Sequence, residues 1–218
     1  MSKGKLIVLE GLDGSGKATQ AKLLAAHLKG QGFSVREITF PNYESDSSAL
    51  VKMYLAGQFG QHPDDVNAYA ASSFYAVDRY ASYKKDWGSF YENGGIVIAD
   101  RYTTSNAVHQ CSKLPPEQWE SFLGWLFDFE FHLLGLPAPD EVIYLQVRPR
   151  REPEAYRPSV TTATRAGRTS TKRTSNIWPA AAVPPRINGI RRPIFVLVRS
   201  LSAPKNGSKT APAHCPPP

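Results

Sequence analysis

The stretch that decides the fold lies near the N-terminus, where residues 6–19 read LIVLEGLDGSGKAT. Its first four residues are wholly apolar, which is typical of a strand buried on both faces of a parallel sheet. Residues 11–17 then match the pattern G-x-x-x-x-G-K, and an apolar stripe at helical spacing follows them. A strand before this pattern and a helix after it form the context of a phosphate-binding loop, which is favoured over a chance glycine-rich turn.

The residue types of this loop explain how it would bind phosphate. Glycines let the backbone curl closely around phosphate oxygens. Successive N–H groups and the helix N-terminus add partial positive charge, and Lys17 adds a full charge at the β- and γ-phosphates. Position 18 is alanine, so the hydroxyl that usually faces Mg²⁺ is missing and the metal must rely on waters, phosphates and carboxylates. The predicted phosphate-binding set is Gly11, Leu12, Asp13, Gly14, Ser15, Gly16, Lys17, Ala18 and Thr19.

Apolar runs and helical stripes alternate along the chain as far as Val147. Strands are predicted at residues 6–9, 33–40, 96–99 and 142–147. Helices are predicted from residue 17 to the glycines at 30 and 32, over 47–56, from Pro63-Asp64-Asp65 to about 93, and from Pro115 onward. This alternation predicts an α/β fold with a parallel sheet and flanking helices. After Val147 the pattern stops, apart from one possible strand at 194–198.

An acidic and a basic residue, Asp100 and Arg101, end the strand predicted at 96–99. The carboxyl ends of parallel strands form the ligand-binding edge of an open α/β sheet. An aspartate there can hold a metal-bound water, and an arginine can bridge two phosphoryl groups. An ion pair that merely caps the strand is the alternative, and the phosphate-binding loop favours the functional interpretation.

Charge and proline divide the chain near residue 147. Residues 1–147 carry 12 Lys and Arg against 17 Asp and Glu, whereas residues 148–218 carry 14 against 2 and hold 12 of the 18 prolines. We interpret residues 1–147 as the globular core. Residues 148–218 are interpreted as a basic, Pro-rich tail, irregular in structure, that is either disordered or the product of a frameshift.

Cysteine content and hydropathy predict a cytoplasmic protein. Cys111 and Cys215 lie far apart and form neither a metal-binding nor a redox spacing. The N-terminal apolar run ends at Glu10, so it is too short for a signal peptide or a membrane span.

Four motifs occur in a fixed order along residues 5–147. They are Glu10-Gly11-x-Asp13-Gly14-x-Gly16-Lys17-x-Thr19, Phe40-Pro41-x-Tyr43, Phe74-Tyr75-Ala76-x-x-Arg79, and Asp100-Arg101-Tyr102-x-x-Ser105-Asn106-Ala107. This series resembles the thymidylate kinase family, whose members phosphorylate dTMP with ATP. The resemblance implies a P-loop nucleoside monophosphate kinase fold, ATP bound by the loop of residues 11–19, dTMP as acceptor, Mg²⁺ as cofactor and a homodimer.

The resemblance also implies an acceptor site. Tyr75 would stack on the thymine ring, Arg79 would reach the thymine edge and Arg101 the acceptor phosphate, so Lys17 and Arg101 are the predicted catalytic pair. Asp13 would face the sugar 3′-hydroxyl or the metal, and Asp13 and Asp100 are the predicted metal carboxylates. The implied acceptor set is Asp13, Phe40, Tyr43, Tyr75, Arg79, Arg101, Ser105, Asn106 and His109.

Within this set, Phe40 and Tyr43 would line the acceptor pocket, and Ser105 and Asn106 would lie close to the base. The resemblance also implies that His109 would lie near the sugar, at a position where many members of the family carry tyrosine.

Simpler interpretations stay open for the individual residues. Any one of the aromatic residues could be plain core, Arg79 could pair with Asp78 or another carboxylate on a solvated face, and Asn106 could be a turn residue. No lid arginine can be named after residue 147, so the core is incomplete by comparison with the family.

Two other functions are also open. The chain could phosphorylate a different nucleotide or nucleoside. It could also be an inactive P-loop protein whose basic tail binds nucleic acid, which the scarcity of aromatic residues in the tail disfavours.

Overall fold

The computed structural model describes residues 3–62 and 64–146, together with the backbone of short strands between residues 186 and 199. The rest of the predicted tail of residues 148–218 lies outside the described residues. The strands are β1 Lys5–Gly11, β2 Val35–Thr39, β3 Ile96–Asp100, β4 Glu141–Gln146, β5 Arg186–Ile187, β6 Ile190–Arg191 and β7 Ile194–Arg199. The α-helices are α1 Lys17–Gly30, α2 Ala49–Leu55, α3 Ala68–Ser82, α4 Gly88–Glu92, α5 Thr103–Cys111 and α6 Trp119–Phe127.

One parallel sheet organises the chain, with the strand order β2-β3-β1-β4-β7. The predicted strand near residues 194–198 is confirmed as β7, which pairs with β4. The register puts Asp100 beside both Leu9 of β1 and Thr39 of β2. Residues that follow these three strands therefore meet at the carboxyl edge of the sheet, where open α/β sheets bind ligands. Separately, β5 and β6 form a two-stranded antiparallel pair.

The two faces of the sheet bury different side chains because neighbouring strand residues point to opposite sides. Leu9 and Ile98 face α1, where they pack with Ala21 and Ala25. Leu6, Val8, Val97, Ala99 and Val142 face the other side, where Trp87, Tyr91 and Tyr102 cover them. A further cluster joins α3, α5 and α6 through Ala68, Ala107, Cys111, Phe122, Leu123 and Leu126.

The predicted start of the third helix is wrong. Asp65 instead closes a turn, in which its carboxylate accepts a hydrogen bond from the backbone N–H of His62 at 2.8 Å. The helix begins three residues later, at Ala68, because the Asn67 side chain caps it by accepting from the N–H of Ala70 at 2.8 Å. Pro63 itself lies outside the described residues.

Two helices continue into π-helical turns, at Tyr83–Trp87 after α3 and at Asp128–Leu133 after α6. Such turns hold one residue more than the α-helix and are common near functional sites. Helix α5 was not predicted at all. Within the described ranges, no helix has the length and hydropathy that crossing a bilayer takes.

Candidate functional site

The loop between β1 and α1 curls tightly because its glycines adopt backbone angles that other residues avoid. Gly11 has φ 148°, and a Cβ atom there would lie 2.7 Å from Ser15 Oγ and 2.8 Å from the Leu145 carbonyl. Gly14 and Gly16 have φ 77° and 90°, and the space beside both of them is open. The backbone N–H groups of this loop and of the first turn of α1 are thus available to an anion in front of the loop.

The Lys17 ammonium is buried against the loop, and its hydrogen-bond partners among the described residues are two carbonyl groups. Its Nζ donates to the carbonyl of Gly11 at 3.0 Å and to that of Leu12 at 2.9 Å. Burial, and then the neighbouring Arg101, lower the pKa of Lys17 below its usual value, although nearby carboxylates act in the opposite direction. A desolvated cation with two neutral partners is well suited to receive phosphate oxygens.

Arg101 holds a strained position at the end of β3. Its φ is 70°, and it is the one non-glycine residue with positive φ among the described residues. Its backbone N–H donates to the Leu9 carbonyl at 3.0 Å. This left-handed conformation costs an ordinary residue about 1–2 kcal/mol. Its guanidinium donates to Ser105 Oγ through Nη1, at 3.0 Å, and forms an ion pair with Asp13 through Nη2.

Lys17 and Arg101 face the same cleft, whose volume is about 530 Å³. Its wall comes from the phosphate-binding loop, from the segment after β2 and from the end of β3. The predicted site residues on this wall are Asp13, Gly14, Gly16, Lys17, Ala18, Thr19, Phe40, Tyr43, Asp100 and Arg101. Two cationic side chains in this wall stand against three carboxylates, which include Glu44.

Asp100 brings a buried carboxylate oxygen without a described partner to the cleft. Its Oδ1 is buried and has no hydrogen-bond partner among the described residues. Burial raises the pKa of Asp100, whereas Lys17 and Arg101 pull it down. No cluster of three or more metal-ligating side chains occurs in the described ranges. One free carboxylate near a phosphate site fits Mg²⁺, which binds through one or two carboxylates, substrate phosphates and water.

The segment after β2 is held against the cleft by Asp78 of α3. Its Oδ2 accepts from the N–H of Asn42 at 2.8 Å and its Oδ1 accepts from the Ser47 hydroxyl at 2.6 Å. Phe40 is buried in the cleft wall, whereas Tyr43 is half exposed beside it. A buried carboxylate with two donors thus fixes the path of the chain that carries these two aromatic rings.

Five predicted acceptor residues lie outside the cleft wall: Tyr75, Arg79, Ser105, Asn106 and His109. The Ser105 hydroxyl donates to Glu10 Oε2 at 2.5 Å as well as accepting from Arg101. Asn106 is buried between α5 and α3, where its amide makes two long contacts of 3.4 Å with Ser72. These two side chains therefore have partners inside the protein, and their contact with a base stays a prediction.

Tyr75 and His109 lie near the cleft without lining it. The ring of Tyr75 packs edge-on against Tyr54 at 6.4 Å, and burial raises the pKa of its hydroxyl. His109 reaches solvent but is surrounded by enough protein for desolvation, followed by Arg101, to lower its imidazole pKa. A neutral imidazole beside the cleft can accept or donate a hydrogen bond.

Arg79 is the largest departure from what the sequence suggested. Its guanidinium is 2% exposed and forms a bidentate pair with Glu130, which is fully buried. The alternative interpretation, in which Arg79 pairs with a carboxylate on a solvated face, is right about the ion pair and wrong about the solvent, because both partners are buried. The contact with a thymine edge stays a prediction.

Two buried carboxylates were missed as site residues. Glu10 accepts from the N–H of Tyr102 at 3.2 Å and from the hydroxyls of Thr104 at 2.6 Å and Ser105. Glu130 accepts from Arg79 and from the Thr103 hydroxyl at 2.7 Å. Glu10 ends an apolar run and Glu130 stands between two phenylalanines, and these neighbours could have marked both of them as buried.

Comparison with known proteins matches most of this described region. The family profile described as thymidylate kinase matches residues 9–158. Thymidylate kinase of Mycobacterium tuberculosis is 33% identical over 143 residues, which cover 65% of both chains. Thymidylate kinase of Plasmodium falciparum is 31% identical over 67% of this chain and 63% of its own length. The chain therefore spans less than two thirds of these relatives.

A solved structure of thymidylate kinase from Candida albicans has the same fold. It superposes with a TM-score of 0.52 at 24% identity, covering 68% of this chain and 66% of that one. The predicted fold class, a parallel α/β sheet with flanking helices, is thus confirmed. From the phosphate-binding loop, the paired residues at the end of β3 and these matches, we conclude that the chain belongs to the thymidylate kinase family.

Proposed function

We propose that the chain transfers the γ-phosphate of ATP to dTMP, with Mg²⁺ as cofactor, and releases ADP and dTDP. The observation that carries this proposal is the meeting of three groups at one cleft: the Lys17 ammonium, the loop amides and the Arg101 guanidinium. Membership in the family supports dTMP as the acceptor. Activity and substrates are proposed for this chain because it matches only part of its relatives' length.

Phosphoryl transfer asks a protein mainly for alignment and charge stabilisation. In the proposed reaction Lys17 exchanges the carbonyls of Gly11 and Leu12 for β- and γ-phosphate oxygens. Arg101 exchanges Asp13 for the acceptor phosphate, so its fork bridges the two phosphoryl groups that react. Asp13, 77% exposed, is then free to face the sugar hydroxyl or the metal.

Mg²⁺ would neutralise charge on the β- and γ-phosphates when it is bound. Asp100 is the carboxylate proposed to hold one of its waters, since its Oδ1 lacks a partner in the described region. Ala18 offers no hydroxyl for this purpose. The excess of carboxylates over cations in the cleft wall also favours binding of a divalent cation.

The acceptor is proposed to enter between the segment after β2 and helices α3 and α5. Tyr43 and Phe40 would border its sugar and phosphate, and Tyr75 would stack on its base. Arg79 and Asn106 would offer hydrogen bonds to the base edge.

A coupled assay for ADP release tests the function directly. The full chain is incubated with Mg·ATP and dTMP, and Lys17→Ala serves as the paired variant. We expect turnover that requires Mg²⁺ and is lost in Lys17→Ala. Turnover that persists in the variant would remove the phosphate-binding loop from the mechanism.

A different nucleotide or nucleoside acceptor is the second candidate, and His109 favours it. By the resemblance to the family, many of whose members carry tyrosine at this position, the sugar would meet a smaller ring here, and burial and then Arg101 lower the imidazole pKa of His109. The same assay run with dUMP, UMP and thymidine separates the two candidates by the ratio of kcat/KM values.

Assembly and location complete the proposal. Tyr69, Val77 and Tyr80 leave apolar surface exposed on α3, as does Leu133 beyond α6, and a homodimer would cover it. Sedimentation of the purified chain distinguishes a dimer from a monomer. A cytoplasmic location rests on the cysteine content and is tested by fractionating cells that express the chain.

A further inference from the structure

A buried ion pair joins α3 to the π-helical turn after α6. The Nε of Arg79 donates to Glu130 Oε2 at 2.7 Å, and its Nη2 donates to Oε1 at 2.5 Å. Two parallel N–H···O bonds of this kind fix a guanidinium in position as well as in charge. Within the described residues this leaves Nη1 as the Arg79 nitrogen available to another acceptor.

Glu130 also holds the turn that presents Arg101. The Thr103 hydroxyl donates to Glu130 Oε2 at 2.7 Å, and Thr103 is the first residue of α5, two residues after Arg101. One carboxylate thus connects the arginine proposed for the base with the segment that carries the arginine proposed for the phosphate.

Arg79 lies directly behind the cleft wall. Its guanidinium carbon sits 5.9 Å from the centre of the Tyr102 ring, and that ring lies 5.9 Å from the ring of Phe40 in the wall. Tyr75 precedes Arg79 by four residues and therefore shares its side of α3. Arg79 thus lies one ring behind the cleft wall, on the same side of α3 as the tyrosine that is proposed to stack on the acceptor base.

A buried ion pair is a poor device for stability alone, since an apolar pair of similar size is often as stable. Its clear benefit is geometric. An arginine clamped by a carboxylate loses little further freedom when it binds a ligand, so the recognition group is ready before the nucleotide arrives.

We propose that Glu130 is a positioning residue for acceptor recognition, which orients Arg79 toward the nucleobase while Thr103 ties it to the phosphate end of the site. The proposal deepens the proposed function and rests on it, because it takes a nucleotide as the ligand. It predicts that loss of the Glu130 charge weakens acceptor binding and leaves ATP binding intact.

The test compares Glu130→Gln with wild type in the full chain. Calorimetry measures the Kd of dTMP, dUMP, UMP and thymidine, and the coupled assay gives KM for ATP and kcat. We expect the Kd of the preferred acceptor to rise by about tenfold to a hundredfold. KM for ATP should change by less than about threefold, because the phosphate-binding loop makes no contact with this ion pair in the described residues. Thr103→Ser, which keeps the hydroxyl, should resemble wild type, and Thr103→Val should be intermediate.

Ile98→Ala is the matched control for destabilisation. Ile98 is fully buried on the face of the sheet that packs against α1, whereas Tyr102, which neighbours Arg79, lies on the other face, so this variant loses packing away from the ion pair. An equal rise in acceptor Kd in this control would overturn the positioning role. If wild type turns over dTMP and Glu130→Gln has the same acceptor Kd as wild type, the positioning role is wrong and the proposed function stands.

A different set of results would contradict the proposed function and keep the positioning role. In that case wild type binds an acceptor tightly but transfers no phosphate to it, and Glu130→Gln raises the Kd of that acceptor. A wild-type chain that binds none of the four ligands would overturn both.

Discussion

The buried pair of Arg79 and Glu130 makes a quantitative prediction for folding that does not depend on catalysis. Removing one partner of such a pair leaves a buried charge without compensation, which costs about 3–5 kcal/mol. Glu130→Gln keeps an amide oxygen for Arg79, so we expect a loss near the lower end, about 3 kcal/mol. Arg79→Met leaves the carboxylate with the Thr103 hydroxyl as its donor and should cost a similar amount.

The double variant should be far less damaged than the sum of its parts. With both charges gone no buried ion stays unpaired, so we expect a coupling free energy of about 3 kcal/mol. Urea unfolding of the full chain, followed by far-UV circular dichroism, measures all four free energies of unfolding. Single effects that add to within about 0.5 kcal/mol would refute the reasoning, because additivity is the behaviour of residues that do not interact.

A surface pair supplies the comparison for this cycle. The Lys29 ammonium lies 3.1 Å from Glu37, and both side chains are well exposed to water. The same cycle with Lys29→Met and Glu37→Gln should give a coupling free energy below about 1 kcal/mol. Similar coupling in the two cycles would mean that burial is not the source of the effect.

Three further predictions concern groups at the cleft. Burial raises the pKa of Glu10, so the folded chain keeps a proton that the unfolded chain loses just above the ordinary glutamate pKa. The free energy of unfolding should therefore fall as pH rises from the ordinary glutamate pKa toward the raised pKa. Urea titrations of Glu10→Gln should lack this fall. The free energy of unfolding of Arg101→Gly should exceed that of Arg101→Ala by about 1 kcal/mol in urea titrations, because glycine tolerates φ 70° without strain. Equal free energies of unfolding for the two variants would contradict the strain. The imidazole of His109 should titrate by NMR below the ordinary histidine pKa, and Arg101→Met should raise its pKa since the arginine cation lowers it.

The sequence was informative where a short local pattern carries the structure. The apolar run before Glu10 and the glycines of the loop predicted β1 and the start of α1, since these features depend on neighbours in sequence. The strand near residue 194 was predicted for the same reason, and it pairs with β4.

Features that depend on distant residues could not be predicted. Helix α5 is rich in Thr, Ser and Asn, which disfavour helix interiors. Its first turn is instead held by the carboxylates of Glu10 and Glu130, which come from elements far away in sequence. The partner of Arg79 is likewise 51 residues away, so no local pattern could distinguish it from Asp78.

The length of the π-helical turn at Asp128–Leu133 matters for deletions of single codons in genes of this family. An α-helix advances by about 100° per residue, so a codon lost at Asp128 or Phe129 would swing the glutamate away from its arginine without altering either amino acid. The ion pair between Arg79 and Glu130 therefore depends on the number of residues in this turn as well as on the identities of the two partners. A gap in an alignment at this place should accompany a change at Arg79, even where every motif of the phosphate-binding loop is intact.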